Sequence, residues 1–248
     1  MSIKLIDAIC FYNNTFRNII KNETLFEKYV CYYDENPVTI WNTIFHHNTY
    51  YTFEEIVKLY EFYNEKKCQG YFLSLDDRYK EFSVYDGVFF YLEKGRLNNN
   101  ISLNSELTIK ECIDTKEYIR FLSPLFDIDK MTQEKLVVML GEKNINHHNR
   151  NYLAYFSGIP CATITITISA SNDAYLSNLA VFPEFQKKNL ARQIMYQVLK
   201  KFPEKNTYSL TALNGVLSNY SLPNLGFKKL GEVHLVNLEK MYQTIHLL

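Results

Sequence analysis

Apolar residues change their spacing several times along the chain, and each change predicts an element. Leu190, Ile194, Met195, Val198, Leu199 and Phe202 share one face of a 3.6-residue helix. Leu176–Val181, just before it, is a short β-compatible run that Pro183 cannot extend. Upstream, Leu107–Cys112 predicts a strand, and Asp114 opens a helix running towards Phe126. A second helix spans Thr132–Glu142, with Leu136, Val137, Met139 and Leu140 as its apolar set, and Lys143–Asn151 is a polar connection. Tyr152–Phe156, the turn Ser157-Gly158-Ile159-Pro160 and Cys161–Ser169 form a hairpin. Its ATITITIS run alternates, so one face is buried and the other is threonine-rich. Ser171-Asn172-Asp173 turns into the next strand. After the 190–202 helix come a strand over Tyr208–Leu213, a short helix over Val216–Leu222 and a final strand over Lys228–Leu238.

Nearer the N-terminus, apolar recurrence predicts a helix over Ile3–Lys21 and a strand over Val38–Phe45. Thr52-Phe53-Glu54-Glu55 has the form of a capping box. It opens a helix through Glu65 with Ile56, Leu59, Tyr60 and Tyr63 on one face. Tyr71–Leu75 is a strand, Asp76–Phe82 is helical and Val88–Leu92 is a second strand. The polar, turn-forming stretch Gly95–Asn100 is the linker candidate, dividing the chain into residues 1–100 and 105–248.

With 248 residues the chain can bury one large core or two modest ones, and 47% hydrophobic with 22% charged residues is ordinary for a globular protein. A formal charge of zero argues against nucleic-acid or membrane-surface binding driven by bulk electrostatics. Cys10, Cys31, Cys68, Cys112 and Cys161 are scattered, odd in number and free of C-x-x-C spacing. They read as reduced thiols of a cytoplasmic protein, not as a disulfide framework or a zinc site. The pairs His46-His47 and His147-His148 lack further ligand spacing and read as loop residues, so no metal site is expected. Lys4, Asp7 and Arg17 interrupt the N-terminal apolar residues, so neither a secretory signal nor a membrane span is expected.

The candidate chemistry lies between strand and helix, in Gln186-Lys187-Lys188-Asn189-Leu190-Ala191. A turn that opens a helix offers unsatisfied N–H groups and the positive end of the helix dipole, a seat for phosphate oxygens. Lys187, Lys188 and Arg192 add charge there, and Asn189 readily takes a left-handed backbone. With the lead-in Leu179-Ala180-Val181-Phe182-Pro183-Glu184-Phe185-Gln186, this loop resembles the pyrophosphate loop of the GCN5-related N-acetyltransferases (GNAT), R/Q-x-x-G-x-G/A. Asn189 stands where that family usually has glycine. The element order from Ser105 to Leu238, the Y-F-S-G-I-P hairpin, Asn214, Ser218-Asn219 and Leu225-Gly226-Phe227 resemble the same family.

The resemblance implies a mixed, mostly antiparallel twisted sheet flanked by helices, an α/β (α+β) fold, with residues 105–248 as the catalytic domain. It also implies acetyl-CoA as co-substrate and an amine-bearing acceptor, a small molecule or a protein amine. The amides of Gln186, Lys187, Lys188, Asn189, Leu190, Ala191 and Arg192 would hold the pyrophosphate. The backbone of Leu179, Ala180 and Val181 would bind the pantetheine, with Asn214 or Asn219 on the far side. The acceptor would attack the thioester directly, its carbonyl polarised by an N–H near Val181. Ser177 and Asn178 would order a water that takes the proton. The thiolate's usual tyrosine donor is replaced by Leu222, and Tyr220 is the nearest substitute. A non-catalytic acyl-CoA-binding or scaffold protein of the same fold is the alternative, and the chain would act as a monomer or homodimer. Residues 1–100 repeat the second half of the family's order in degenerate form. Helix 53–65, strand 71–75, short helix 76–82 and strand 88–92 parallel helix 190–202 through strand 228–238. His46-His47-Asn48-Thr49-Tyr50-Tyr51 offers no phosphate loop, so this part reads as an emptied tandem lobe or as an unrelated α+β cap.

Overall fold

The structure is a computed structural model. It describes residues 5, 7–10, 12, 22–25, 30–33, 43–45, 51–130, 132–134, 136–137, 148–169 and 173–245. The chain forms two compact units, residues 1–11 with 89–230 and residues 12–88 with 231–248. The fold is mixed α/β, with mostly antiparallel strands flanked by helices.

The first unit carries the order β5-β10-β9-β8-β7-β6, with residues 89–92 of β5 (Ser83–Leu92), β6 at Leu107–Glu111, β7 at His148–Phe156, β8 at Ile159–Ile168, β9 at Ala174–Val181 and β10 at Thr207–Ala212. Neighbours from β6 to β9 are antiparallel, and β9 with β10 is parallel. Ser157 (φ 49°) and Gly158 (φ 81°) join β7 to β8. Two positive φ values in a two-residue loop match the twist of a tight hairpin. The hairpin is longer than its composition predicts. His148–Asn151, read as a polar connection, pair with Ile168–Thr165 because the facing strand supplies ladder partners that override local polarity.

Helix α2 (Thr115–Leu122) begins at Asp114, whose carboxylate accepts from the N–H groups of Lys116 and Glu117. It packs on β7 and β8, and α3 (Leu190–Leu199) packs on β6, β8 and β9. Ile164 and Ile166 are fully buried on one face of β8, and Thr163 and Thr165 on the other are buried as well, Thr165 meeting Tyr118 of α2. The stretch read as a linker is pinned. Gly95 N–H donates to the Pro203 carbonyl, Asn98 N–H to the Leu225 carbonyl, and Tyr196 O–H to Asn99 Oδ1.

The second unit carries β1 (Asn22–Leu25), β2 (Val30–Tyr33), β3 (Thr43–Phe45) and β4 (Tyr71–Ser74), with residues 83–88 of β5 and residues 231–237 of β11 (Lys228–Asn237). Thr52 and Glu55 form the predicted capping box of α1 (Phe53–Glu65), with reciprocal bonds of 3.2 and 2.8 Å. Ile56, Leu59 and Tyr63 are buried with Cys31, Ile44, Phe72, Val236 and Met241. Tyr60 instead stacks on Tyr242 at 4.0 Å between ring centroids. The segment Asp77–Phe82 is a 3₁₀ helix capped by Asp76.

Residues 231–248 belong with 12–88, although the linker reading put everything after residue 105 in one domain. The reason is strand pairing: His234 to Asn237 face Ser74 to Tyr71 in antiparallel register. A final helix, α4 (Leu238–Ile245), had not been expected. Its signal is present, since Asn237 Oδ1 accepts from Lys240 N–H as a capping side chain does. The helix expected over Ile3–Lys21, the strand over Val38–Phe45 and the helix over Thr132–Glu142 lie largely outside the described residues. So do His46, His47 and His147.

Candidate acyl-donor site

Strands β9 and β10 run together for only three residue pairs, Thr207↔Ala174, Tyr208↔Tyr175 and Ser209↔Leu176. Beyond Leu176, β9 continues to Val181 paired only with β8, and β10 continues to Ala212. One edge of Ser177–Val181 therefore faces a gap between parted strands. Unpaired strand edges bind extended polar chains through backbone hydrogen bonds.

The ladder decides which groups face that gap. Phe182 N–H donates to the Cys161 carbonyl across the Ala162↔Val181 pair. In an antiparallel ladder this makes Val181 a non-hydrogen-bonded position, so its own N–H and C=O point away from β8. The carbonyl accepts from Gln186 Nε2 at 3.0 Å. The N–H is directed into the gap.

A bulge lies just before this position. Thr165 faces Ser177 and Thr163 faces Ala180, so β9 spends three steps where β8 spends two. Asn178 absorbs the extra residue in a left-handed conformation (φ 52°). Its backbone carbonyl accepts from Thr163 Oγ1 at 2.9 Å, and its Nδ2 donates to Thr165 Oγ1 at 3.2 Å. Thr165 Oγ1 in turn donates to Asn151 Oδ1 at 2.9 Å and lies 2.6 Å from the Tyr118 hydroxyl. Sequence reasoning missed Tyr118, Asn151, Thr163 and Thr165; the threonine face of the alternating strand was the signal for the two threonines.

After β9, a 3₁₀ turn (Pro183–Phe185) buries Phe185 and leaves Gln186–Asn189 exposed. Lys187 (φ 63°) and Asn189 (φ 58°, ψ 23°) are both left-handed, so asparagine supplies the backbone that the family's glycine would. No side chain caps α3, whose first N–H groups stay free of side-chain partners. Arg192, one turn into α3, has a buried Nε without a hydrogen-bond partner. Lys188 Nζ lies 5.0 and 5.4 Å from the ring centroids of Phe156 and Phe185. A left-handed turn, an uncapped helix start and an orphaned guanidinium N–H together fit phosphate oxygens. In α1, by contrast, Thr52 occupies the Glu55 N–H, and Glu54 and Glu55 add negative charge.

The remaining predicted residues fall around this centre. Leu190 is buried, so only its backbone can serve a ligand; Leu179, Ala180, Val181 and Ala191 are half-buried. Ser177 is half-buried beside the bulge, and Asn214 and Asn219 are exposed after β10. Leu222 is packed in the core at 1% exposure, whereas Tyr220 is 65% exposed. Both lie where a π-helical turn (Leu217–Ser221) passes into one α-turn (Leu222–Asn224). The five cysteines are free thiols, and burial pushes Cys112 and Cys161 up to about 11. No metal-holding cluster occurs among the described residues. None of the described helices is long and apolar enough to cross a membrane.

Parted parallel strands, a bulge and an uncapped helix start frame this candidate site. Residues 116–231 match the model of the Acetyltransferase (GNAT) family, so that segment carries a GNAT-type domain. The chain's fold is similar to that of a GCN5-related N-acetyltransferase from Kribbella flavida, with a TM-score of 0.68, 11% identity and coverage of 96% of each chain. A functionally unknown conserved protein from Staphylococcus epidermidis gives 0.67 at 14% identity, covering 87% of this chain and 93% of that one. A tandem GNAT protein from the clavulanic acid biosynthesis pathway gives 0.56 at 12% identity, covering 85% and 79%. Comparison with curated protein sequences gives no match.

Proposed function

We propose that the protein is an N-acetyltransferase that moves an acetyl group from acetyl-CoA to a primary amine by direct attack in a ternary complex. The observation that carries this reading is the parting of β9 from β10 after Leu176, in the strand that leads directly to the uncapped start of α3. Bound acetyl-CoA supplies the activated acyl group as a thioester. The edge of Leu179–Val181 binds its extended arm, and the amides of residues 186–192, with Lys187, Lys188 and Arg192, hold the pyrophosphate. Asn214 or Asn219 closes the far side. The Val181 N–H polarises the reacting carbonyl. Ser177 and Asn178 order a water that accepts the acceptor's proton, and Tyr220 protonates the departing thiolate. Titration calorimetry with acetyl-CoA tests the donor site, and thiol release across an amine panel tests turnover. No binding at millimolar acetyl-CoA would overturn the reading.

One observation favours a second reading, a non-catalytic acyl-CoA-binding protein: Leu222 is buried where the family often places its proton donor. Steady thiol release with any amine in the panel rejects it. We also read residues 1–100 as an emptied tandem lobe, a reading supported by the self-capped start of α1.

A further inference from the structure

The bulge at Asn178 sets the direction of every backbone group after it, because one added residue reverses which side of the strand each N–H faces. The hydrogen bonds that hold it come from beneath the sheet. Thr165 Oγ1 has one hydrogen and two lone pairs. The hydrogen goes to Asn151 Oδ1, and one lone pair accepts from Asn178 Nδ2. The 2.6 Å contact with Tyr118 is therefore donated by the tyrosine hydroxyl. Tyr118 is fully buried, and burial pushes its hydroxyl well above the ordinary tyrosine value, so it keeps that proton. The hub is complete, and it is anchored in α2 rather than in the strands it braces.

We propose that Tyr118 is a positioning residue for the acyl donor: through Thr165 it locks the left-handed Asn178 bulge and so aims the Val181 N–H at the thioester carbonyl. This rests on the acetyltransferase reading. The test needs no acceptor. Infrared difference spectra of carbonyl-labelled acetyl-CoA, bound to the full chain, report the hydrogen bond to the carbonyl as a red shift. Titration with CoA, which has no acetyl carbonyl, reports the rest of the site. Tyr118→Phe is expected to lose roughly half or more of the wild-type red shift while its Kd for CoA stays within about twofold. Thr165→Ser, which keeps the hydroxyl, is expected to retain the shift, and Thr165→Val to lose it. Asn178→Gly, an exposed left-handed position, gives a well-folded variant with the same expected loss should Tyr118→Phe not fold. An unchanged red shift in the folded variants overturns the positioning role and leaves the donor site standing. Wild-type protein that binds neither CoA nor acetyl-CoA overturns the acetyltransferase reading, and wild-type binding without a red shift overturns the placement of Val181.

Discussion

A Cβ at Gly226 would stand 2.6 Å from the carbonyl oxygen of Arg96. Gly226 also has φ +99°, which L side chains rarely adopt. The turn that ends the helical segment after β10 is thus pressed against residues 96–98, where Asn98 bonds both Leu225 and Asn224. Gly226→Ala should cost roughly 2–3 kcal/mol, combining backbone strain with a clash against main chain that cannot swing aside. Urea melts measure it. A loss below about 0.5 kcal/mol, the range of inert surface changes, would contradict the packing.

In the loop proposed to seat the pyrophosphate, backbone and charge can be tested separately. Asn189→Gly keeps the left-handed turn and should leave acetyl-CoA affinity within about threefold, whereas Asn189→Val, β-branched and unsuited to φ 58°, should weaken it at least tenfold. Lys188→Glu with Asn189→Asp sets two carboxylates at the helix start and should weaken binding by about two orders of magnitude, an effect reduced by salt. Calorimetry at two ionic strengths distinguishes these outcomes.

The buried thiols should be slow and pH-sensitive. Burial pushes Cys31 up to about 12; burial, then the Glu117 carboxylate, pushes Cys112 up to about 11; burial takes Cys161 to about 11. Each keeps its proton in the folded chain above 9.0, where the unfolded chain loses it. Their stabilising contribution is therefore full below 9.0 and is lost as pH rises towards about 11 to 12. Thermal melts should shift downward across that window, and alkylation of the native chain near pH 8 should be slow until denaturant is added. A fast-reacting native thiol among these three would contradict the burial.

In the second unit, His234 is 1% exposed and spans two carboxylates, with Nδ1 2.6 Å from Asp86 and Nε2 3.0 Å from Asp77. The hydrogen bond from His234 is the main cause holding Asp86 below the usual carboxylate range. A lowered carboxylate contributes stability above its ordinary 3.8 and loses it as pH falls through the lower folded value. His234→Ala should cost roughly 2–4 kcal/mol near neutrality, from the cavity and the lost hydrogen bonds. It should also flatten the acid limb of the stability profile. Melting points across the acid range measure both, and an unchanged acid limb would contradict the coupling.

By itself the sequence determined the local features of this protein. The Thr52–Glu55 box, the Asp114 cap and the left-handed Asn189 each depend on residues within a few positions. The capping asparagine before α4 was equally local and was overlooked behind the long run read as the final strand. Only the tertiary structure decided which strand edges meet. Asn237 lies opposite Tyr71, far away in sequence, and that pairing moved residues 231–248 into the unit of residues 12–88. Alternation showed that Thr163 and Thr165 share a face, but not that Tyr118 covers it. Where β9 leaves β10 is likewise a property of two strands and the bulge beside them. Side-chain periodicity assigns faces, whereas pairing partners are chosen by long-range burial and hydrogen bonding. The left-handed turn before α3 was therefore legible from its residues, while the parting of β9 from β10 and the Tyr118–Thr165–Asn178 contacts emerged only on folding.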